Sequence, residues 1–205
     1  MENVAKLRSS LGPSPGPSLA PSLGMLCAVW FGLVAISVAG RLWQPAANVT
    51  PLAGAAIAAG AVFSSPFVAA TVPLAAITVS NLVLPGYGPG ASGFVMAAVV
   101  YAALVWPVLL GGLVRNGRLT AILGGALASS LVFFLSTNFA HWCLTSDYPH
   151  TVAGLLACYT AGLPFYRWMP VGDMVWAVSL MSGLAAIGVT ATSRRLISSH
   201  PVNAA

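Results

Sequence analysis

The sequence has 205 residues, of which 58% are hydrophobic and only 5% are charged, and its formal net charge at pH 7 is +5. A soluble domain carries about 25% charged residues, so this composition excludes an ordinary water-soluble domain and predicts the lipid bilayer as the solvent. The eight Lys and Arg residues are scattered rather than gathered into a basic stripe, so no nucleic-acid partner is expected.

The apolar segments indicate helices rather than strands. Only helices and closed barrels satisfy their backbone hydrogen bonds in lipid, and barrel strands alternate apolar with polar residues. No such alternation is found in AGAAIAAGAVF at 53–63 or YAALVWPVLLGGLV at 101–114. We therefore predict an all-α, polytopic membrane bundle with six transmembrane helices plus one short re-entrant or interfacial helix.

The chain divides into three regions. Residues 1–23 are rich in Pro, Ser and Gly, lack the pattern of a signal peptide, and predict a disordered cytoplasmic tail. A transmembrane helical domain follows at 24–195, and residues 196–205 form a cytoplasmic C-terminal tail. The domain contains seven apolar segments, at 24–42, 51–64, 66–84, 93–113, 119–139, 151–165 and 171–192.

The segment at 151–165 decides the predicted topology. It is shorter than the roughly 20 residues that cross a bilayer. If it does not cross, Arg115 and Arg118 lie on the same side as Arg194 and Arg195, which agrees with the positive-inside rule. If it crosses, Arg194 and Arg195 lie outside. We therefore expect both termini in the cytoplasm.

This topology gathers scarce polar side chains at the external end of the bundle. They are Arg41, Asn48, Asn81, Tyr87, His141, Asp147, Tyr148, His150, Arg167 and Asp173. Helix N-termini at that end carry partial positive charge, and Thr50 followed by Pro51 predicts one such start. A polar or partly anionic small molecule would suit this region. The alternatives are side chains that simply face water, interfacial aromatic residues, hydrogen bonds between helices, and a structural pair of Arg167 with Asp173.

The sequence carries little sign of catalysis. It has three acidic residues and contains no HExxH, GxSxG, CxxC or phosphate-binding loop. No enzyme, cofactor or metal is therefore expected, although His141 with Asp147 or Asp173 remains a weak candidate acid–base pair. An active transporter of this kind would take its energy from a partner protein or an ion gradient.

Small residues recur at helical spacing in the first two apolar segments. They are Ala28, Gly32, Ala35 and Ala39, then Gly54, Ala58 and Ala61. Such spacing allows helices to approach closely. It is compatible either with packing inside the bundle or with docking of a partner membrane protein.

Several motifs resemble an uncharacterised bacterial membrane family described as transport proteins. They are NVTPLAGAAIAAGAVF at 48–63, VPLAAITVSNLVLPGYG at 72–88, STNFAHW at 136–142, YPHTVAGLLACYTAGLPFYR at 148–167 and GDMVWAVSLMSG at 172–183. That family is similar to the S components of energy-coupling-factor vitamin transporters. The chain departs from the family pattern at Asn81, where Asp is expected, and at Val49, where Phe is usual.

The resemblance implies a six-helix bundle in the bacterial inner membrane that binds a small nutrient at its outer face. It also implies a separate transmembrane coupling protein and ATPases that power uptake. On the matching motifs, the positions implied in ligand binding are Asn48, Thr50, Pro51, Asn138, Trp142, Tyr148, Pro149 and Asp173.

The sequence therefore predicts an S-component-type transport protein for a small ligand. The expected ligand contacts are Asn138, Asp173 and Arg167 first, followed by Asn48, Asn81, Trp142, Tyr148 and His141. The alternative is a non-catalytic accessory subunit that packs against other membrane subunits. A sealed, partly polar pocket below the outer loops would favour transport, whereas a solidly packed bundle with a wide apolar face against other chains would favour the subunit.

Overall fold

The computed structural model describes residues 21–46 and 48–190, and their regular secondary structure is helical throughout. The elements are α1 Leu23–Leu42, α2 Leu52–Val62, α3 Pro66–Asn81, α4 Gly90–Val105, a 3₁₀ segment Trp106–Leu110, α5 Gly111–Val114, α6 Leu119–Leu144, α7 Val152–Tyr166 and α8 Met169–Ala186. The predicted C-terminal tail and nearly all of the predicted N-terminal tail lie outside the described residues.

The predicted helical membrane bundle is confirmed. Four stretches are long and apolar enough to cross a membrane: α1, the run Gly90–Val114 from α4 through α5, α6 and α8. The chain is therefore a membrane protein in contact with lipid. Helices α2, α3 and α7 are shorter, with 11, 16 and 15 residues. Two of the six predicted crossings thus depend on short helices, and the number of crossings stays a prediction.

Local sequence signals set several helix boundaries. The side chains of Ser22, Ser65 and Thr151 each accept a hydrogen bond from a backbone N–H in the first turn of the helix that follows. The expected cap at Thr50 is wrong, because α2 begins at Leu52 with Pro51 as its N-cap and forms no side-chain cap bond. Thr50 instead lies in the wall of a cavity.

Helix α2 forms the centre of the bundle. Its residues from Ala55 to Ala59 have no exposed surface, and it packs against α3, α8 and the 3₁₀ segment. A methyl group at Gly60 would lie 2.0 Å from the carbonyl oxygen of Val108, so only glycine permits this contact. The small residues of α2 therefore bring this chain's own helices together. The interpretation of Gly54, Ala58 and Ala61 as a partner-docking surface is wrong.

Side-chain contacts show which helix ends lie together. Arg41, in the last turn of α1, bonds to Ser80 and Asn81 at the end of α3, and we call this the upper end of the bundle. At the opposite, lower end, Met25 of α1 and Ile187 at the end of α8 line one groove, and Gly111 of α5 packs against Gly60 near the end of α2. The start of α1 and the end of α8 therefore lie together at the lower end, as the predicted topology requires. Lys6, Arg194 and Arg195 lie outside the described residues.

Helix α7 occupies a peripheral position. Among the described elements it contacts only α6 and, more weakly, α8. The Tyr159 hydroxyl donates to the carbonyl of Leu135 at 2.9 Å, and the Tyr166 ring packs on Phe134 at 4.5 Å between centroids. The helix therefore lies beside the upper part of α6. It is a 15-residue element, in agreement with the predicted short helix.

Candidate functional site

A cavity of about 400 Å³ lies at the upper end of the bundle. It is bounded by α1, α2, α4, α6 and α8 and by the loops at 43–51 and 82–89. Apolar side chains make up much of the wall, among them Leu52, Val100, Leu104 and Phe133. The polar residues of the wall are Arg41, Gln44, Asn48, Thr50, Tyr87, Ser129 and Asp173. The bundle is therefore not solid, and the cavity is partly open, in contrast to the sealed pocket that the transport prediction expected.

Arg41 is held in the wall by one of its nitrogens. Its Nη1 donates to Ser80 Oγ at 2.5 Å, to Asn81 Oδ1 at 2.7 Å and to the Ile77 carbonyl at 3.3 Å. Asn81 in turn donates to the Tyr101 hydroxyl at 3.4 Å. Asn81 thus positions Arg41 and does not itself line the cavity. Since guanidinium has five N–H donors, the Nε and Nη2 side of Arg41 keeps donors that no described residue uses.

Asp173 is the second ionisable residue of the wall. It is the fifth residue of α8, its side chain is only 2% exposed, and its Oδ2 has no hydrogen-bond partner among the described residues. A buried polar group without a partner costs free energy, and such costs mark functional positions in membrane helices. Asp173 is therefore the strongest single indication of a ligand site.

The predicted pair of Arg167 with Asp173 is wrong. Arg167 is exposed, and its guanidinium carbon lies 5.2 Å from the ring centroid of Trp168. Within residues 21–46 and 48–190, the only ion pair joins His141 to Asp147. Arg41 and Asp173 therefore line one cavity without neutralising each other.

A smaller cavity of about 200 Å³ adjoins the first. Asn48, Phe133 and Met169 line both spaces, and Asn138 lines the smaller one beneath α7. Asn48 adopts the left-handed backbone conformation, with φ of 61°, which Asn tolerates better than most residues. The Asn138 side-chain nitrogen donates to the carbonyl of Phe134 at 2.8 Å, within its own helix. The structure thus brings predicted Asn48 and Asn138 to this region.

Three other predicted contacts belong to a separate group, the α6 cap, which comprises residues 141–150. Trp142 Nε1 donates to the Pro149 carbonyl at 3.0 Å, and His141 Nε2 lies 3.0 Å from Asp147 Oδ2. The Tyr148 ring meets His141 edge-on at 6.3 Å between centroids. The structure places His141, Trp142 and Tyr148 in this cap and not in either cavity wall, and it places Arg167 outside both as well.

Sequence reasoning placed Arg41 near the site but did not include it among the ligand contacts, and it missed Gln44 and Ser129 altogether. A usable signal existed for Arg41, because it ends an otherwise apolar 20-residue helix, where a charge is costly. Ser129 gave none, since Ser is common in this chain. Tyr87 was recognised only as an upper-end polar residue, whereas its hydroxyl is buried without a partner in the cavity wall.

Among the described residues no group of three or more His, Cys, Asp or Glu side chains is placed to hold a metal ion. The cavity instead offers cationic donors from Arg41, acceptors from Asp173, and apolar surface between them.

Fold and site together define a helical membrane protein with a partly polar cavity at one end of its bundle. The chain belongs to the family described as "Family of unknown function (DUF6580)", whose profile matches residues 22–196. No curated protein and no solved structure matches the chain.

Proposed function

We propose that this protein binds a small polar molecule in the upper cavity and serves membrane transport as an S-component-type subunit. The observation that carries the proposal is that Arg41 and Asp173 line one cavity and remain unpaired. Charged side chains inside an apolar bundle lower its stability, so their presence needs an offsetting interaction. A ligand that bonds to both supplies one. The cavity volume also falls within the range of about 300–1,000 Å³ that is usual for small-molecule sites.

The basic residues support an outward-facing cavity. Arg115 and Arg118 are exposed beside Val114 at the lower end, and short loops rich in Arg and Lys remain in the cytoplasm. The upper end then faces the outside of the bacterial inner membrane, and both termini are cytoplasmic.

Sided labelling tests this orientation. Cys143 is exposed in the α6 cap, so a variant that keeps only this cysteine should react with a membrane-impermeant maleimide in intact spheroplasts. A second variant, whose only cysteine is introduced by Arg118→Cys, should react after permeabilisation alone. The reverse pattern would place the cavity on the cytoplasmic side.

The energy source in this proposal lies outside the chain. The sequence contains no phosphate-binding loop, so ATP hydrolysis requires partner ATPases and a transmembrane coupling protein. The resemblance to S components of energy-coupling-factor transporters favours this arrangement over an ion gradient.

Native mass spectrometry from a mild detergent tests the proposal. Protein purified from its own membranes should carry a small-molecule adduct, which Arg41→Gln should lose. The matched control is Arg118→Gln, which removes an exposed Arg at the lower end and should keep the adduct. An adduct that survives Arg41→Gln would contradict the site, and no adduct in any form, with no response to added small molecules, would contradict the function.

The second candidate function, an accessory subunit, is favoured by one specific feature. An apolar groove of about 410 Å³ lies between α1 and α8. Methyl groups added at Gly32 and Gly183, which line it, would meet nothing within 4 Å, so the groove is open enough to admit another helix. The same mass spectra separate the two functions, because a stoichiometric protein partner without a small-molecule adduct would support the subunit. Gly32→Leu should then displace that partner.

A further inference from the structure

We infer that the ligand is a zwitterion with an apolar side chain, of the amino-acid type. This inference rests on the proposed function and specifies its substrate class. It follows from three features that line one cavity: a cationic donor edge, a carboxyl group that can accept hydrogen bonds, and an apolar wall.

The cationic edge belongs to Arg41. Its Nη1 is occupied by Ser80, Asn81 and the Ile77 carbonyl, all neutral acceptors, so no described carboxylate balances its charge. The remaining Nε and Nη2 groups lie side by side on a planar guanidinium. That edge matches the two oxygens of a carboxylate in a bidentate pair. Arg41 is thus held in position through Nη1, while its Nε and Nη2 groups remain available to donate to a carboxylate.

The acceptor group belongs to the α6 and α8 side of the cavity. Asp173 lines the cavity, and its buried Oδ2 has no partner among the described residues. Ser129 lines the same cavity, and its hydroxyl proton is donated to the Gly125 carbonyl at 2.7 Å. Ser129 therefore faces the cavity as an acceptor only. Two acceptors suit an ammonium group, which has three N–H donors and accepts none.

An apolar wall lines the same cavity as these polar groups. Leu52, Ala53, Val100, Leu104 and Phe133 contribute it, and they suit an apolar side chain of the ligand. An acid without an amino group would leave Asp173 unpaired, and an amine without a carboxylate would leave Arg41 unpaired. Because an unpaired buried charge is costly, the cavity should reject both singly charged analogues.

The test uses matched analogue series and the full chain in detergent. The probes are L-alanine, L-valine, L-leucine, L-methionine and L-phenylalanine, each compared with its analogue lacking the amino group and its analogue lacking the carboxylate. For leucine these are 4-methylpentanoate and 3-methylbutylamine. Isothermal titration calorimetry should show at least one amino acid binding about tenfold or more tighter than both of its analogues.

Variants assign the two contacts. Asp173→Asn should reduce the affinity for the amino acid and raise the affinity for the amino-free acid, until the two are about equal. Arg41→Gln should reduce amino-acid affinity to that of the amine. Asp147→Asn makes the same chemical change in the exposed α6 cap and should alter neither. The comparison of each amino acid with its two analogues uses the unmodified protein, so it remains valid even if a variant fails to fold.

The outcomes separate this inference from the proposed function. If none of the five amino acids binds better than both of its analogues, the zwitterion assignment is wrong. If other small molecules then bind and lose affinity in Arg41→Gln, the proposed function stands. If no small molecule binds or co-purifies with the unmodified protein, both proposals fall.

Discussion

The two polar regions at the upper end of the bundle differ in how their hydrogen-bonding groups are satisfied. In the α6 cap, His141 pairs with Asp147 and Trp142 donates to Pro149, all within ten residues of chain. In the upper cavity, Arg41 and Asp173 come from helices at opposite ends of the sequence and do not pair. The cap contains the denser polar sequence, yet the cavity contains the unsatisfied groups.

Polar residues in an apolar chain therefore fall into two kinds. Those that satisfy one another locally close a loop and cap a helix, which is a structural role. Those that remain unpaired beside a cavity lower stability, and the proposed ligand would offset that cost. The contrast predicts that replacing Asp173 raises stability, whereas replacing residues that have hydrogen-bond partners, in the α6 cap or at Arg41, lowers it. The expected change decreases in size from Arg41 through Asp173 and Trp142 to Asp147.

Replacing Arg41 should have the largest effect on stability. Arg41→Ala removes the hydrogen bonds that tie α1 to the end of α3, and the free energy of unfolding should fall by about 2–3 kcal/mol. Chemical unfolding in detergent, followed by tryptophan fluorescence, measures this change. The control Arg118→Ala, at an exposed position, should change it by less than about 0.5 kcal/mol. Equal losses in both would show that the Arg41 contacts contribute nothing.

Neutralising Asp173 should raise stability. Asp173→Asn removes a buried, unpartnered carboxyl and should raise the free energy of unfolding of the ligand-free protein by about 1–2 kcal/mol. Binding should weaken at the same time, as expected of a functional residue that costs stability. A decrease in stability would mean that Asp173 has a structural partner.

Changes in the α6 cap should lower the free energy of unfolding, by less than Asp173→Asn is expected to raise it. Trp142→Phe keeps the ring contact with Phe139 but removes the hydrogen bond to the Pro149 carbonyl. The expected loss in the free energy of unfolding is about 1 kcal/mol, with ligand binding unchanged. Weakened binding would bring the cap into the site and remove the distinction between the two regions.

The smallest effect is expected at the exposed ion pair. Asp147→Asn should lower the free energy of unfolding by less than about 1 kcal/mol, since both side chains of the pair are well exposed. The loss should disappear in about 1 M salt, which screens exposed charges. Unfolding curves at low and high salt, compared with Asp173→Asn, provide the measurement. A salt-independent loss would show that Asp147 has a role beyond this pair.

Much of the fold was predictable because apolar length and proline are local signals. Each of the seven apolar segments contains a helix, and 151–165 differs from observed α7 by one residue at each end. The prediction for 93–113 missed the 3₁₀ break at Trp106–Leu110, where Pro107 lacks the N–H that an α-helix needs. The central burial of α2 was not predictable from its Ala-rich sequence, since small residues serve internal packing and partner docking equally.

The site was predictable only in part. Asp173 and Asn138 were found because polar residues near apolar runs are costly, whereas Asn48 was found through the motif resemblance. Arg167 and Arg41 both end apolar segments, and only tertiary contacts distinguish them: Arg167 packs on its neighbour Trp168, whereas Arg41 reaches residues 36 to 40 positions away. Local sequence does not contain that information. The prediction that His141, Trp142 and Tyr148 contact the ligand had the same weakness, because their observed partners lie within the α6 cap.

An experimental structure of the protein purified from its own membranes would decide whether the unpaired charges of the upper cavity hold a ligand. We expect density for a small molecule in that cavity, in contact with Arg41 on one side and Asp173 on the other. A cavity closed by a direct bond between these two side chains, or filled by neighbouring apolar side chains, would contradict the proposed binding site.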